Sequence, residues 1–267
     1  MSPTVVRTTK HEDDVRITKM PQTGDKRTVG IILLLISCVT DSSPRERVVL
    51  LFLVVIACVG MQAQSKRSIS VLGDSYSTFK GYVVPDTNAV WYPQKAENND
   101  VQDIRQLWWH QLIREHGYRL CQNNSFSGAT ICNTGYEKKD YTYCSFITRL
   151  WHLGDPDIIL VFGGTNDSWA KSPVGDFQYG GWQKADLYKF RPAMAYLLAN
   201  LQNRYPGTEV YVIINSELSE EVTSSMKTIC DHYNVKYIQL VDIEKQWGHP
   251  SQKGMKAIAE QVAAAIN

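Results

Sequence analysis

Asp157-Ile158-Ile159-Leu160-Val161-Phe162-Gly163-Gly164-Thr165-Asn166-Asp167 is the stretch that decides the fold. Five apolar residues in succession, ended by a glycine pair, have the length and character of a strand buried on both faces and stopped by a turn. Such strands belong to parallel sheets covered by helices. Working outward, residues 68–72, 118–122, 209–214 and 236–241 have the same short, mostly apolar character. Between them lie stretches that read as helices: 103–115 around Leu107 and Leu112, 146–153, 187–204 and 220–233. A last helix is expected from about Pro250 to Ile266. Alternating β and α elements predict an α/β fold with a five-stranded parallel sheet, whose ligands bind at the carboxyl ends of the strands.

The 267 residues are 43% hydrophobic and 21% charged, which excludes a disordered or fibrous chain. Lys and Arg number 28 against 27 Asp and Glu, a formal net charge of +1. No global field draws such a chain onto nucleic acid, so a small or neutral partner is expected and a nucleic-acid partner is not. Residues 64–267 contain no repeat and no long linker, and are expected to form one domain.

Residues 1–63 read as an N-terminal extension outside that domain. Two apolar runs, 29–39 and 48–60, are both shorter than the roughly 20 residues of a spanning helix. The second follows Arg45 and Arg47, has an uncharged core and approaches the small Ala63, the layout of a secretory signal peptide with cleavage near Ala63. Export to the periplasm or the extracellular space is expected, with no stable membrane span in the mature form. The first run ends in Cys38, which resembles a lipoprotein box; a membrane hairpin of the two runs is the competing arrangement. Beyond them stand Cys121, Cys132, Cys144 and Cys230, with no C-x-x-C pair among them, so zinc-ribbon and thioredoxin-like readings fail. In an exported chain one disulfide is plausible, Cys121 with Cys132 or Cys132 with Cys144; four buried thiols are the alternative.

The motifs fall on loops after strands. Gly73-Asp74-Ser75-Tyr76-Ser77 follows the first, delivering a hydroxyl at the sheet edge, where a serine becomes a nucleophile if a base lies within reach. Asn124-Ser125-Phe126-Ser127-Gly128-Ala129 follows the second, and Gly128 lets a backbone amide approach a ligand closely. Asn166 follows the third strand and carries a carboxamide able to donate to a developing oxyanion. His249-Pro250 stands before the last helix, with Gly254 beyond it. Taken together, Ser75, Gly128, Asn166 and His249 in this order resemble the SGNH hydrolases, the GDSL esterase and lipase family, over nearly all of residues 66–267.

That resemblance implies a three-layer α/β/α sandwich of flavodoxin-like architecture and ester hydrolysis through an acyl-enzyme, without metal or organic cofactor. It makes Ser75 the nucleophile, His249 the general base, and the amides of Ser75 and Gly128 with the Asn166 side chain the oxyanion hole. The family commonly places an acid three residues before the histidine, where this chain has Gln246. Three substitutes are expected: the Gln246 carbonyl itself, a relocated acid (Asp242 or Glu244), or a Ser75–His249 dyad supported by a backbone carbonyl. Asp74, Trp91 and Trp169 are candidate substrate contacts, and Tyr179 and Trp182 are placed on long loops near the site. Trp108 and Trp109, adjacent in one helix, are expected not to face the core together. The substrate expected is a small-molecule or glycan ester carrying a small acyl group such as acetyl. Competing readings are a catalytically weak carbohydrate-binding protein and a flavodoxin-like nucleotide binder; the second lacks a G-x-G-x-x-G or P-loop signature.

Overall fold

The computed structural model describes residues 66–266, together with residues 43–45 and 48. Apart from Val48, the two apolar runs, Cys38 and Ala63 lie outside the described residues. Residues 66–266 lie within one compact unit. Its sheet has five parallel strands: β1 (Ser68–Gly73), β2 (Arg119–Asn123), β3 (Ile158–Gly163), β4 (Glu209–Ile214) and β5 (Lys236–Gln239), in the order β2-β1-β3-β4-β5. All six residues of β3 are buried, as a central strand with helices on both faces requires.

Alternation along the strands divides the interior into two cores. Ile158, Leu160 and Phe162 of β3 join Ile69, Val71, Tyr211 and Ile213 under α1 (Trp108–His116) and the C-terminal helix Gln252–Ile266. Ile159 and Val161 point the other way, with Leu72, Val212 and Ile214. That face is covered by α2 (Phe146–Arg149), the helix α4 (Phe190–Arg204) and α5 (Glu220–His232). One further helix, α3 (Thr165–Ala170), follows β3 directly, and the C-terminal helix is α6. No helix among the described residues is long and apolar enough to cross a membrane.

The chain leaves β1 for β2 on one side and takes up β3 on the other, so the strand order reverses between β1 and β3. In open α/β sheets the crevice outside the carboxyl ends of the strands at such a point is where ligands bind. Ser75 and Asn166 lie just beyond these two strand ends.

Several boundaries differ from expectation for local reasons. Residues 103–107 do not join α1, because Asp103 caps a separate 3-10 turn at Ile104–Gln106 and Leu107 is extended. The last helix begins at Gln252, two residues after Pro250: the Gly254 amide donates to Ser251 Oγ at 3.2 Å and the Met255 amide to Ser251 O at 2.7 Å, making Ser251 the cap. His249 and Pro250 instead form β7 (His249–Pro250), which pairs with β6 (Lys245–Gln246) in a small antiparallel hairpin. Cys121, Cys132, Cys144 and Cys230 are free thiols, so neither expected disulfide forms.

Candidate active site

The turn that carries Ser75 is set by Gly73 and Asp74. A Cβ on Gly73 would stand 2.6 Å from both Ser77 Oγ and Ser125 Oγ, so only glycine lets the strand end turn here. Asp74 Oδ1 accepts from the Tyr76 amide at 3.0 Å and caps the 3-10 turn Ser75–Ser77. From beneath, both tryptophans of α1 brace it: the Trp108 indole donates to Ser77 Oγ at 3.2 Å and the Trp109 indole to Ser77 O at 3.0 Å. Both rings are buried, contrary to expectation, because the turn supplies a polar partner for each indole N–H.

His249 reaches this turn from the hairpin. Its two-residue connection, Trp247 and Gly248, has φ of 51° and 75°, both left-handed as a tight hairpin needs. The Tyr76 hydroxyl donates to Gly248 O at 2.6 Å and the Tyr92 hydroxyl to Pro250 O at 2.8 Å. Behind the hairpin, a Cβ on Gly254 would stand 2.1 Å from Glu244 O, so α6 packs here only with glycine. His249 Nε2 lies 2.9 Å from Ser75 Oγ, and Nδ1 lies 3.1 Å from Trp247 O. A carbonyl only accepts, so Nδ1 carries the proton and Nε2 is free to accept from the serine hydroxyl. Ser75 and His249 are 4% and 8% exposed. Burial pushes the imidazole pKa down to about 4, against the Trp247 carbonyl, which favours the cation. The ring is therefore a neutral base over the physiological range.

The Gly128 and Asn166 loops are joined to the Ser75 turn by hydrogen bonds. The Phe126 amide donates to Gly73 O at 3.1 Å and the Ala129 amide to Phe126 O at 3.2 Å. Gly128, between them, has φ of 85° and nothing within 4 Å of where a Cβ would sit, so its backbone borders open space. Asn166 Nδ2 donates one N–H to Ala129 O at 3.0 Å, while its Oδ1 accepts from the Tyr136 hydroxyl at 2.8 Å. Those two bonds fix which end of the carboxamide is the donor and leave it a second N–H. Tyr136 carries no motif and was invisible in the sequence.

Charged groups buried below the site hold its loops. Arg149 donates to Cys144 O at 2.7 Å, to Gly73 O at 3.1 Å and to Asn124 O, and its enclosure lowers its pKa to about 10. Asp167 accepts from the amides of Ile131 and Cys132 at 2.8 and 3.2 Å, with burial raising its pKa to about 6.

Several expectations are corrected here. Asp74 is fully buried beneath the turn, where desolvation raises its pKa to about 7; it caps the turn and does not face a substrate. Asp242 does not reach His249: it lines a shallow surface groove with Ser216, Glu217 and Gln239, and a backbone carbonyl occupies the Nδ1 position instead. The Gln246 side chain turns away too, its Oε1 accepting from the Asp100 amide at 2.8 Å. Glu244 accepts from Ser251 Oγ at 2.6 Å. Of the aromatics, Trp91 stacks on His249 and Trp169 stands 6.0 Å from its ring, centre to centre. Tyr179 and Trp182 lie elsewhere, on His232 of α5 at 3.6 Å and Tyr196 of α4 at 5.5 Å, closing the core under their loop. Trp247, which supplies the key carbonyl and is 76% exposed at the rim, escaped the sequence reading.

Residues 67–266 match the family described as GDSL-like Lipase/Acylhydrolase. A solved structure from Bacteroides uniformis, described as a GDSL-like lipase, is 57% identical, covers 76% of this chain and 96% of its own, and superposes with a TM-score of 0.75. A second, from Bacteroides ovatus, is also 57% identical, covers 76% and 99%, and gives 0.74. A family two carbohydrate esterase from Clostridium thermocellum shares the fold at 15% identity, covering 75% and 63% with a TM-score of 0.51. No curated protein matches the chain.

Proposed function

Because the chain belongs to the GDSL-like lipase/acylhydrolase family, and is thereby an ester-bond hydrolase, we propose that it is an exported serine esterase working through an acyl-enzyme. Its substrates are small acyl esters, acetyl above all, on carbohydrate. The observation that carries the reading is the 2.9 Å contact between Ser75 Oγ and His249 Nε2, with Nδ1 held by Trp247 O. Ser75 Oγ attacks the ester carbonyl while its proton passes to His249 Nε2. The amides of Ser75 and Gly128 and the free N–H of Asn166 receive the oxyanion. His249 then returns the proton to the leaving alcohol, and a water activated by the same nitrogen releases the acid.

Support for a carbohydrate alcohol comes from the rim: Trp169 is 42% exposed beside His249 and Trp247 is more exposed still, flat apolar faces of the kind that stack on sugar rings. Support for export comes from the apolar run after Arg45 and Arg47.

The test is hydrolysis of para-nitrophenyl acetate and butyrate, then of acetylated glycans, by the full chain and by Ser75→Ala and His249→Ala. Turnover favouring acetate and abolished by both substitutions is expected. A second reading, glycan binding with little catalysis, is favoured by the missing carboxylate at His249. Glycan binding without turnover, unchanged in Ser75→Ala, would establish it instead.

A further inference from the structure

Where a Ser–His pair is completed by an acid, the carboxylate both orients the imidazole and stabilises the cation that forms as the serine proton arrives. Here, among the described residues, Nδ1 meets only the Trp247 carbonyl, at 3.1 Å. The flat face of the imidazole, however, is covered. The indole of Trp91 lies on it with ring centres 3.7 Å apart and planes 6° from parallel.

Both members of this stack are fixed to one frame. The Trp91 amide donates to Thr78 Oγ1 at 2.9 Å, and that same hydroxyl donates to Ser75 O at 3.0 Å, so Trp91 is tied to the turn that carries Ser75. Tyr92 meets the indole edge-on at 4.5 Å, and its hydroxyl is bonded to the hairpin through Pro250 O. We propose that Trp91 is a positioning residue that takes the place of the missing acid: its π face orients His249 toward Ser75 and stabilises the imidazolium formed when the Ser75 proton moves to Nε2. This rests on the Ser75–His249 mechanism proposed above.

The stack is well placed to matter because little else faces the ring. Tyr76 and Tyr92 stand 5.3 and 6.3 Å away, their phenols kept protonated by burial, and Trp169 approaches from α3. On the hairpin, Gln246 is neutral and Lys245 is paired with Glu217 at 2.9 Å. Asp74 lies on the buried side of the Ser75 turn, and no charged side chain contributes to the His249 shift. A cation over indole in a desolvated site is among the stronger cation–π arrangements.

The experiment compares the full chain with Trp91→Phe and Trp91→Leu on para-nitrophenyl acetate from about pH 3 to 8, with folding checked by circular dichroism. Catalysis is expected to fall in the order Trp, Phe, Leu, by about 2- to 30-fold for leucine, the range of cation–π strengths converted at tenfold per 1.36 kcal/mol. The loss should be in kcat with KM changed less than about twofold, since the cation exists only after proton transfer. The acidic limb of kcat/KM should move to lower pH as the cation loses its partner. A rise in KM at constant kcat would make Trp91 a substrate wall and overturn the proposal. Equal losses in Phe and Leu with an unmoved limb would reduce the stack to packing and overturn it too. Should the native chain show no turnover at all, the esterase reading fails separately. The imidazole titration by NMR then decides: a lower His249 pKa in Trp91→Leu supports the stack, and an unchanged one refutes it.

Discussion

Arg149 offers the most direct test of how the site is held together. Its guanidinium, enclosed on α2, joins three carbonyls from three segments: Gly73 at the end of β1, Asn124 at the end of β2, and Cys144 before its own helix. Replacing it by methionine keeps much of the volume and removes every donor. The Asn124 and Cys144 carbonyls then lose a charged partner where water does not reach, at about 1–3 kcal/mol for each unsatisfied group, or roughly 2–6 kcal/mol in all. In a unit of this size that corresponds to a fall in Tm on the order of 10 °C. Arg149→Lys keeps the charge but has a single reach, and should lie between the two. Because the lost bonds tie the Ser75 turn to the Gly128 loop, kcat at a temperature where the variant is folded should also fall. Thermal melts by circular dichroism and initial rates on para-nitrophenyl acetate read both effects. A methionine variant melting within about 2 °C of the parent, with unchanged kcat, would refute the reasoning.

Other expectations follow from single contacts. Burial holds His249 down at about 4 in the folded chain, so its own protonation should cost kcat/KM only about a tenth between pH 7 and pH 5, any larger loss belonging to the buried Asp74 and Asp167; an ordinary histidine near 6.5 would by itself leave about one twenty-fifth. The same depression means the unfolded chain binds the extra proton between about pH 4 and 6.5, so the stability His249 contributes is lost as pH falls through that window. Tyr136→Phe removes the donor that orients the Asn166 carboxamide and should lower kcat by about 2- to 13-fold, the worth of one neutral hydrogen bond, with little change in KM. Asp242→Asn should leave kcat/KM within about twofold of the parent, since Trp247 O holds the Nδ1 proton; a hundredfold loss would restore Asp242 as the acid.

The fold was legible because buried parallel strands announce themselves in short apolar runs, and all five are where the sequence places them, β3 most plainly. Strand order was not, since nothing local in β1 tells it to pair with both β2 and β3. Ser75, Gly128, Asn166 and His249 were readable as residues on loops after strands. What completes the site was hidden for different reasons. The Nδ1 partner is a backbone carbonyl, which any residue possesses, so Trp247 left no chemical trace of that role. Asp74 sits in a motif and looks functional, yet its burial turns it into a cap for Tyr76. Trp108 and Trp109 looked incompatible with one core because helical geometry alone separates neighbours by about 100°, and only the tertiary position of the Ser77 turn gives both indoles a partner.

The central claim is that Ser75 is activated by His249 without a carboxylate. It is tested most directly by reacting the full chain with a fluorophosphonate ester and mapping the adduct by mass spectrometry. The account predicts one phosphonyl group, on Ser75, formed much more slowly in His249→Ala and at an undiminished rate in Asp242→Asn and Glu244→Gln. No adduct, an adduct on another serine, or labelling of Ser75 that persists in His249→Ala and collapses in a carboxylate variant would contradict it.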